Sequence, residues 1–291
     1  MIYNIENENL RVQINSLGAE LWSIIDKSDD QEYLWQGDKA IWPRRAPILF
    51  PYCAKLKDNK YILNNKTYES PIHGFARDFE HSVKKRDETS VTFMFSDNEE
   101  THKLYPYRFR LLTKFQLNNN QLTQSFRVEN ASDADMAFSI GYHTGYRVPF
   151  EDNHSILDYN LVFERNETPI KLLCNHEGLL TGQKEVFFEN QRIIPLSDGL
   201  FPSSFILSGL KSDYVSIMEA ETGKAIRIGI KGFPYVVFWS TPNKVNFVCV
   251  EPWHGLPDSN ETSGEFDKKP GILKLPPGKQ FVCEMTIQII K

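Results

Sequence analysis

The sequence predicts an all-β fold, a large antiparallel β-sandwich with few helices. Three observations carry this. Apolar residues alternate with polar ones through most of the chain, the two-residue period of a strand with one buried face. Helical periodicity is nearly absent. Aromatic residues are plentiful, with 20 Phe, 12 Tyr and 5 Trp, and they suit a pleated, half-buried surface. The 291 residues amount to about two average domains. However, all-β sandwiches run to about 200–250 residues as one unit. No Pro/Gly/Ser-rich linker and no repeat divides the sequence, so the reading is one domain over residues 1–291.

The elements follow in order. Leu10, Val12 and Ile14 alternate with polar residues; Ser16-Leu17-Gly18 turns the chain, and Leu21 to Ile25 returns. Val91–Phe95, Phe109–Leu117 and Leu122–Val128 repeat the pattern. The last two flank Asn118-Asn119-Asn120, a hairpin signal. Tyr235–Trp239 and Val245–Val250 lack alternation and read as strands buried on both faces. The proline at 252 is expected to end the second of these. At the C-terminus, Phe281, Cys283, Met285, Ile287 and Ile289 face one way, and Val282, Glu284, Thr286 and Gln288 the other, after a Pro276-Pro277-Gly278 boundary. Residues 33–80 break this rhythm. Prolines crowd Trp42 to Pro51, which predicts an irregular segment laid over a sheet, and long ordered segments of this kind often carry function.

Composition narrows the function classes. The net charge is −5 and no run of Lys or Arg forms a stripe, so nucleic acid and anionic membrane are poor partners. No stretch of 18 apolar residues could span a bilayer as a helix. The start, MIYNIENENL, lacks the basic and apolar regions of a signal peptide. Cys53, Cys174, Cys249 and Cys283 form no C-x-x-C pair. A cytoplasmic protein with free thiols is the simplest expectation. There is no G-x-G-x-x-G and no phosphate loop, so no nucleotide cofactor is expected.

Seven histidines are the first candidates for chemistry. His81, His102, His154 and His176 sit in polar surroundings and read as solvated. His73 lies in Pro71-Ile72-His73-Gly74-Phe75-Ala76-Arg77, a polar motif inside an apolar stretch, and His143 lies in Gly141-Tyr142-His143-Thr144-Gly145-Tyr146. His254 follows Glu251 in Val250-Glu251-Pro252-Trp253-His254. Glu251 is the most telling residue. It ends the apolar run Phe247–Val250, where a carboxylate is costly unless paired or used. It either clears the sheet edge into water or belongs to a site. A metal held by Glu251, His254 and another His is a rival reading, but the Glu-x-x-His spacing is a helix motif and here it follows a strand. Arg44 and Arg45, between Trp42-Pro43 and Ala46-Pro47, are surface charges or a rigidly held fork of donors. Trp35 and Trp42 are core residues or ring-stacking walls.

At these residues the sequence resembles the aldose 1-epimerase (galactose mutarotase) superfamily, and it looks closest to its branch of LacX-like proteins. The matching pieces are LGAELWSI, YLWQGD, RRAPILFP, HGFAR at 73–77, GYHTGY at 141–146, VEPWHGLPD at 250–258 and GILKLPPGKQF, in the family's order. The resemblance implies a large antiparallel β-supersandwich with a sugar cleft. It also implies His143 as general acid and Glu251 as general base, with His73 and Arg45 holding the sugar's oxygens. Arg44 replaces Arg45 in a shifted alignment, and Trp35 and Tyr142 are further substrate-binding candidates. No metal and no cofactor is implied. The expected partner is a small sugar or sugar phosphate, and the chain is expected to be a monomer or homodimer. Galactose mutarotases use an additional Asp on sugar hydroxyls, and related sequences often keep an acid after a Leu-Phe pair. Here Leu200-Phe201-Pro202-Ser203-Ser204-Phe205 has none, and Asp198 is out of place. Lys55, in Tyr52-Cys53-Ala54-Lys55, departs from the usual glycine-bearing version and could meet a phosphate.

The implied chemistry is coherent. A hemiacetal opens when a base takes the C1 hydroxyl proton while an acid protonates the ring oxygen. Rotation about C1–C2 presents the other carbonyl face, and the two groups then reverse their roles. On this reading the Glu251 carboxylate and the His143 ring lie on opposite sides of one pocket, roughly 5–8 Å apart. The alternative reading is a sugar-binding or sensing protein that keeps the cleft without turnover.

Overall fold

Two large antiparallel sheets frame the molecule in the computed structural model, which describes residues 1–242 and 244–291. The first has nine strands, in the order Gln191–Pro195, Tyr159–Glu167, Tyr214–Glu219, Ala225–Gly229, Gln280–Ile290, Gln121–Asn130, Phe109–Asn118, Ser90–Ser96 and Ser82–Arg86. The second orders Leu180–Val186, Ile170–Cys174, Phe205–Ser208, Tyr235–Trp239, Phe247–His254, Ile140–Tyr142 and Ile48–Leu49, with Thr144–Arg147 also on Phe247–His254. A four-stranded N-terminal sheet spans Ile2–Glu6 to Gln31–Glu32. Among the described residues the one α-helix is Glu99–Leu104, capped by the Asn98 side chain. This is the all-β supersandwich.

Alternation builds the nine-stranded sheet. Cys283, Met285, Ile287 and Ile289 are buried while Val282 and Glu284 face solvent. The Asn cluster forms a two-residue hairpin: Asn118 pairs with Gln121, and Asn119 takes the left-handed conformation its side chain tolerates. One edge strand, Ser82–Arg86, is exposed throughout and carries Lys84, Lys85 and Arg86, charges that discourage edge-to-edge pairing. The two large sheets meet through the core. The Tyr142 ring stacks on Phe126 with centroids 4.3 Å apart, and its hydroxyl donates to the Gln124 carbonyl at 2.8 Å.

The central strands of the eight-stranded sheet are covered on both faces, while the edge strand Leu180–Val186 is largely exposed. Strand Phe247–His254 is buried except at its last residue, and it continues through Pro252 instead of ending there. The ladder explains why. Ile140 and Gly141 pair with His254 and Trp253, and Thr144 and Gly145 pair with Val250 and Cys249. The register is the same on both sides of a two-residue gap. The gap places Tyr142 across from Pro252, which has no N–H to give. It also places His143 directly across from Glu251.

One face of this sheet, with Val236, Phe238, Val248 and Val250, joins the main core. The other face carries a smaller apolar cluster of Leu49, Cys53, Leu180, Ile206, Val237, Trp253 and Leu256. Over this second face runs the irregular segment predicted at 33–80. It is stitched down at Gly145, whose carbonyl accepts from Trp35 N–H and whose N–H donates to the Arg45 carbonyl, both at 2.9 Å. Among the described residues no helix is long and apolar enough to cross a membrane.

Candidate active site

Strand alternation selects the groups that reach the second face. Along 141–145, Gly141, His143 and Gly145 point there, while Tyr142 points into the core. Along 249–253 the same face takes Cys249, Glu251 and Trp253. The two glycines are needed for space. A Cβ on Gly141 would lie 2.6 Å from Cδ1 of Trp253, and one on Gly145 would lie 2.7 Å from Cζ3 of Trp42. A cavity of about 460 Å³ opens here. His143 and Glu251 form part of its wall with Trp42, Trp239 and Trp253, and His73, Arg77, Lys55, Glu177 and Ser204 add to its polar lining.

His143 Nδ1 stands 3.5 Å from Glu251 Oε1. This is closer than the 5–8 Å gap the sequence suggested, and the groups share one wall instead of facing each other, because they are cross-strand neighbours. Neither is consumed by structural bonds: Nδ1 of His143 and Oε2 of Glu251 are buried without a hydrogen-bond partner. Burial pushes the Glu251 carboxyl well above the usual carboxylate range, with the nearby Trp253 indole N–H opposing it. That N–H donates chiefly to the Tyr142 carbonyl, at 3.0 Å. Burial pulls His143 down to about 3, and the Arg77 charge adds to it. An ionised carboxylate here would cost several kcal/mol. The resting pair therefore holds one proton, on a neutral carboxyl beside a neutral imidazole.

His73 is held rigidly beside His143, the two rings edge to face with centroids 5.1 Å apart. Its backbone has φ of 66° and Gly74 one of 74°. A Cβ at Gly74 would strike the Phe50 carbonyl at 2.1 Å, so glycine is obligatory there. Ala54 N–H donates to His73 Nδ1 at 3.0 Å, so Nδ1 is the acceptor and Nε2 carries the ring proton. Burial, with His143 and Arg77 adding, pulls its pKa well below the ordinary value. His73 is thus a neutral donor.

Four of the proposed site residues lie elsewhere. Arg45 does not line the cavity; its guanidinium donates to the Trp22 carbonyl and to Gln36 Oε1, both at 2.5 Å, and sits 4.0 Å over the Trp22 ring. Arg44 is turned to Asp78 and the Arg77 carbonyl. The arginine in the cavity is Arg77, the last residue of HGFAR. Trp35 lines a neighbouring hollow and braces Trp42 from behind, its indole N–H donating to the Trp42 carbonyl at 2.8 Å. Tyr142 is a core residue, because alternation turns it away from His143. Sequence reasoning left Arg77, Trp239 and Trp253 unassigned. The first two were legible only as the end of a motif and of an apolar run.

The remaining candidates sort as follows. His254 packs between Phe233 and Phe281 on the opposite face from Glu251, so the Glu251–His254 metal pair does not form. His143, Cys249 and Glu251 are the one set among the described residues with three donor atoms within 4.8 Å. Burial pushes the pKa of the Cys249 thiol well above its ordinary value. Asp198 accepts from Val245 N–H at 2.9 Å, a structural bond, while Ser204 of the acid-less segment reaches the cavity. His81, expected at the surface, is buried against Phe95 with Nε2 on the Ala76 carbonyl at 2.9 Å.

The fold recurs among known proteins. The family model described as aldose 1-epimerase matches residues 1–267. The plasmid-encoded protein LacX of Lactococcus lactis subsp. lactis is 36% identical over 288 residues, covering 95% of each chain. A galactose mutarotase related enzyme from Lactobacillus acidophilus superposes with a TM-score of 0.95 at 32% identity, covering 100% of this chain and 98% of its own. A galactose mutarotase-like protein from Lactobacillus casei gives 0.90 at 30% identity, with both chains fully covered. With its whole fold and most of its length matched, this chain belongs to the aldose 1-epimerase family.

Proposed function

We propose that this protein interconverts the α and β anomers of an aldose, a hexose or hexose phosphate, by acid–base ring opening and closure. The observation that carries the reading is the 3.5 Å contact between His143 and Glu251 inside a cavity of about 460 Å³, with neither group claimed by structural hydrogen bonds. That volume suits a small ligand. The aromatic walls of Trp42, Trp239 and Trp253 suit the apolar faces of a sugar ring.

Ring opening needs one proton donor and one acceptor beside the same carbon. The C1 hydroxyl and the ring oxygen are both bonded to C1, so two groups set side by side on one wall can reach both. With the pair's proton on His143, Glu251 accepts from the C1 hydroxyl while His143 donates to the ring oxygen. Closure on the other carbonyl face returns both protons. The pair thus ends as it began, and each partner contributes on the order of 10²–10⁴-fold. His73 Nε2–H, Arg77 and Ser204 are donors suited to the remaining sugar oxygens. Lys55 and Arg77 also suit a phosphate, and among the described residues no carboxylate lies within 4.0 Å of the Lys55 ammonium.

The test is anomer exchange followed by polarimetry or NMR with free hexoses and hexose phosphates. Acceleration that survives thorough chelation and vanishes in Glu251→Gln supports the proposal. A second reading, a sugar-binding protein without turnover, draws on the absence of a carboxylate at Ser204. Saturable binding with no change in exchange rate would decide for it. The pH profile has a definite sign. The one-proton pair persists from the low pKa of His143, about 3, to the raised pKa of Glu251. Activity should therefore hold across a plateau broader than ordinary Glu and His values allow, falling on the acid side as a second proton adds and on the alkaline side as the last one leaves.

A further inference from the structure

Trp42 is the least expected member of the site. It belongs to the proline-rich segment rather than to either sheet, yet it lies nearly parallel to the His143 ring, with centroids 5.0 Å apart and planes at 26°. Its other contacts fix it there. It stacks on Phe247 at 5.1 Å and meets Trp239 edge-on at 5.3 Å. Its carbonyl accepts from Trp35 Nε1–H at 2.8 Å. Both ends of its loop are tied to Gly145, through Trp35 N–H and the Arg45 carbonyl. Gly145 also leaves the clearance for the indole, since a Cβ there would come 2.7 Å from Trp42 Cζ3.

We propose that Trp42 is a positioning residue for the acid–base pair: pinned over the His143 ring by Gly145, its indole face holds the imidazole against Glu251 and favours its imidazolium form during turnover. This rests on the anomer-exchange reading of the site. The physical reason is that an aromatic face attracts a cation within about 6 Å of its centroid, most strongly for Trp and more strongly when water is excluded. The groups facing His143 are few. Glu251 and Cys249 come from strand Phe247–His254, His73 comes from the HGFAR turn, and Arg77 acts at longer range. Glu251 and Trp42 favour the imidazolium. Burial and Arg77 oppose it. Without the indole, the balance moves to neutral imidazole and the acid is lost in the step that needs it.

The experiment compares Trp42→Phe, Trp42→Leu, Gly145→Ala and the Trp42→Leu/Gly145→Ala double variant. Readouts are kcat and KM for anomer exchange, the pH profile, and the ring ¹⁵N shifts of His143 titrated toward acid pH. Trp42→Leu should lower kcat about tenfold, move the acid limb down by about one pH unit and move the acid midpoint of the ring signals down with it. Trp42→Phe, which keeps an aromatic face, should recover most of each effect. Gly145→Ala should lower kcat in the wild-type background and add nothing to Trp42→Leu, because it acts through the indole. A Trp42→Leu variant that changes only KM, or a Gly145→Ala effect that multiplies in the double variant, overturns the proposal. The ring signals keep the two readings apart. If the wild-type protein accelerates no anomer exchange, the functional reading fails, while an unchanged acid titration of the His143 signals in Trp42→Leu sinks the role of Trp42 independently.

Discussion

Glu167 in the nine-stranded sheet and Glu251 in the eight-stranded sheet are each 1% exposed, yet their surroundings are opposite. The Glu167 carboxylate accepts from the backbone N–H groups of Lys211 and Ser212 and from the Ser212 hydroxyl, at 2.6–3.1 Å. It closes a loop onto the end of its strand. Glu20 does the same for Arg45 and Ala46, and Glu219 for Glu221 and Thr222. Glu251 alone among these four buried glutamates receives no backbone N–H, and its Oε2 has no partner. Buried carboxylates are normally satisfied. A carboxylate that is buried, unsatisfied and open to a cavity is held ready for something else. Burial by itself therefore does not mark a site; burial without structural hydrogen bonds does.

That contrast can be broken in descending order of effect. Glu251→Gln should cut the anomer-exchange rate by about 10²–10⁴ while leaving thermal stability near wild type, because an amide is cheaper to bury than an ionisable group. His143→Asn should cost a similar factor, and the double variant little more than either single one, since the two act as a unit. Glu167→Gln should do the reverse. It weakens charge-assisted bonds and costs about 1–3 kcal/mol in urea unfolding, with exchange per folded molecule unchanged. If Glu167→Gln abolished exchange and Glu251→Gln unfolded the protein, the comparison would be wrong.

Acid stability sharpens it further. His81 and His254 have folded pKa values of about 4 because burial disfavours their charged forms, and His73 and His143 are lowered for the same reason. Between the unfolded value of 6.5 and the folded value of about 4, the unfolded chain binds more protons than the native one. Stability should thus fall as pH drops through that window, with His81 contributing a slope of about 1.4 kcal/mol per pH unit. Urea titrations from pH 7 to pH 4 measure this, and His81→Gln should flatten the slope. The smallest effect is expected at Tyr142. Tyr142→Phe removes a hydroxyl bonded to the Gln124 carbonyl, costing about 1 kcal/mol, and should leave exchange unaltered because the ring faces the core. A large loss of exchange without loss of stability would return Tyr142 to the site.

The nine-stranded sheet was legible because one of its faces is wet. Alternation along Gln280–Ile290 and Gln121–Asn130 names the buried side residue by residue. The central strands of the eight-stranded sheet are covered on both faces, so their apolar runs say strand without saying which residue points where. This is why Tyr142 and His143, adjacent in the chain, could both be assigned to the cleft although alternation permits only one. It is also why the arginine was misplaced. Arg44 and Arg45 stand among prolines and attract attention, but only the tight turn at His73 and Gly74 carries Arg77 into the cavity.

The amino-acid order alone determined the fold class, the hairpins and Glu251 as the telling carboxylate, because strand period, turn chemistry and the cost of a carboxylate in an apolar run are local properties, while the resemblance to the family singled out His143 and His73. Tertiary structure alone decided that His143 and Glu251 touch on one wall, that Trp42 covers the imidazole and that Arg77 rather than Arg45 reaches the cavity. Those facts depend on the register between strands about a hundred residues apart, and register is set by how two faces bury against the rest of the molecule.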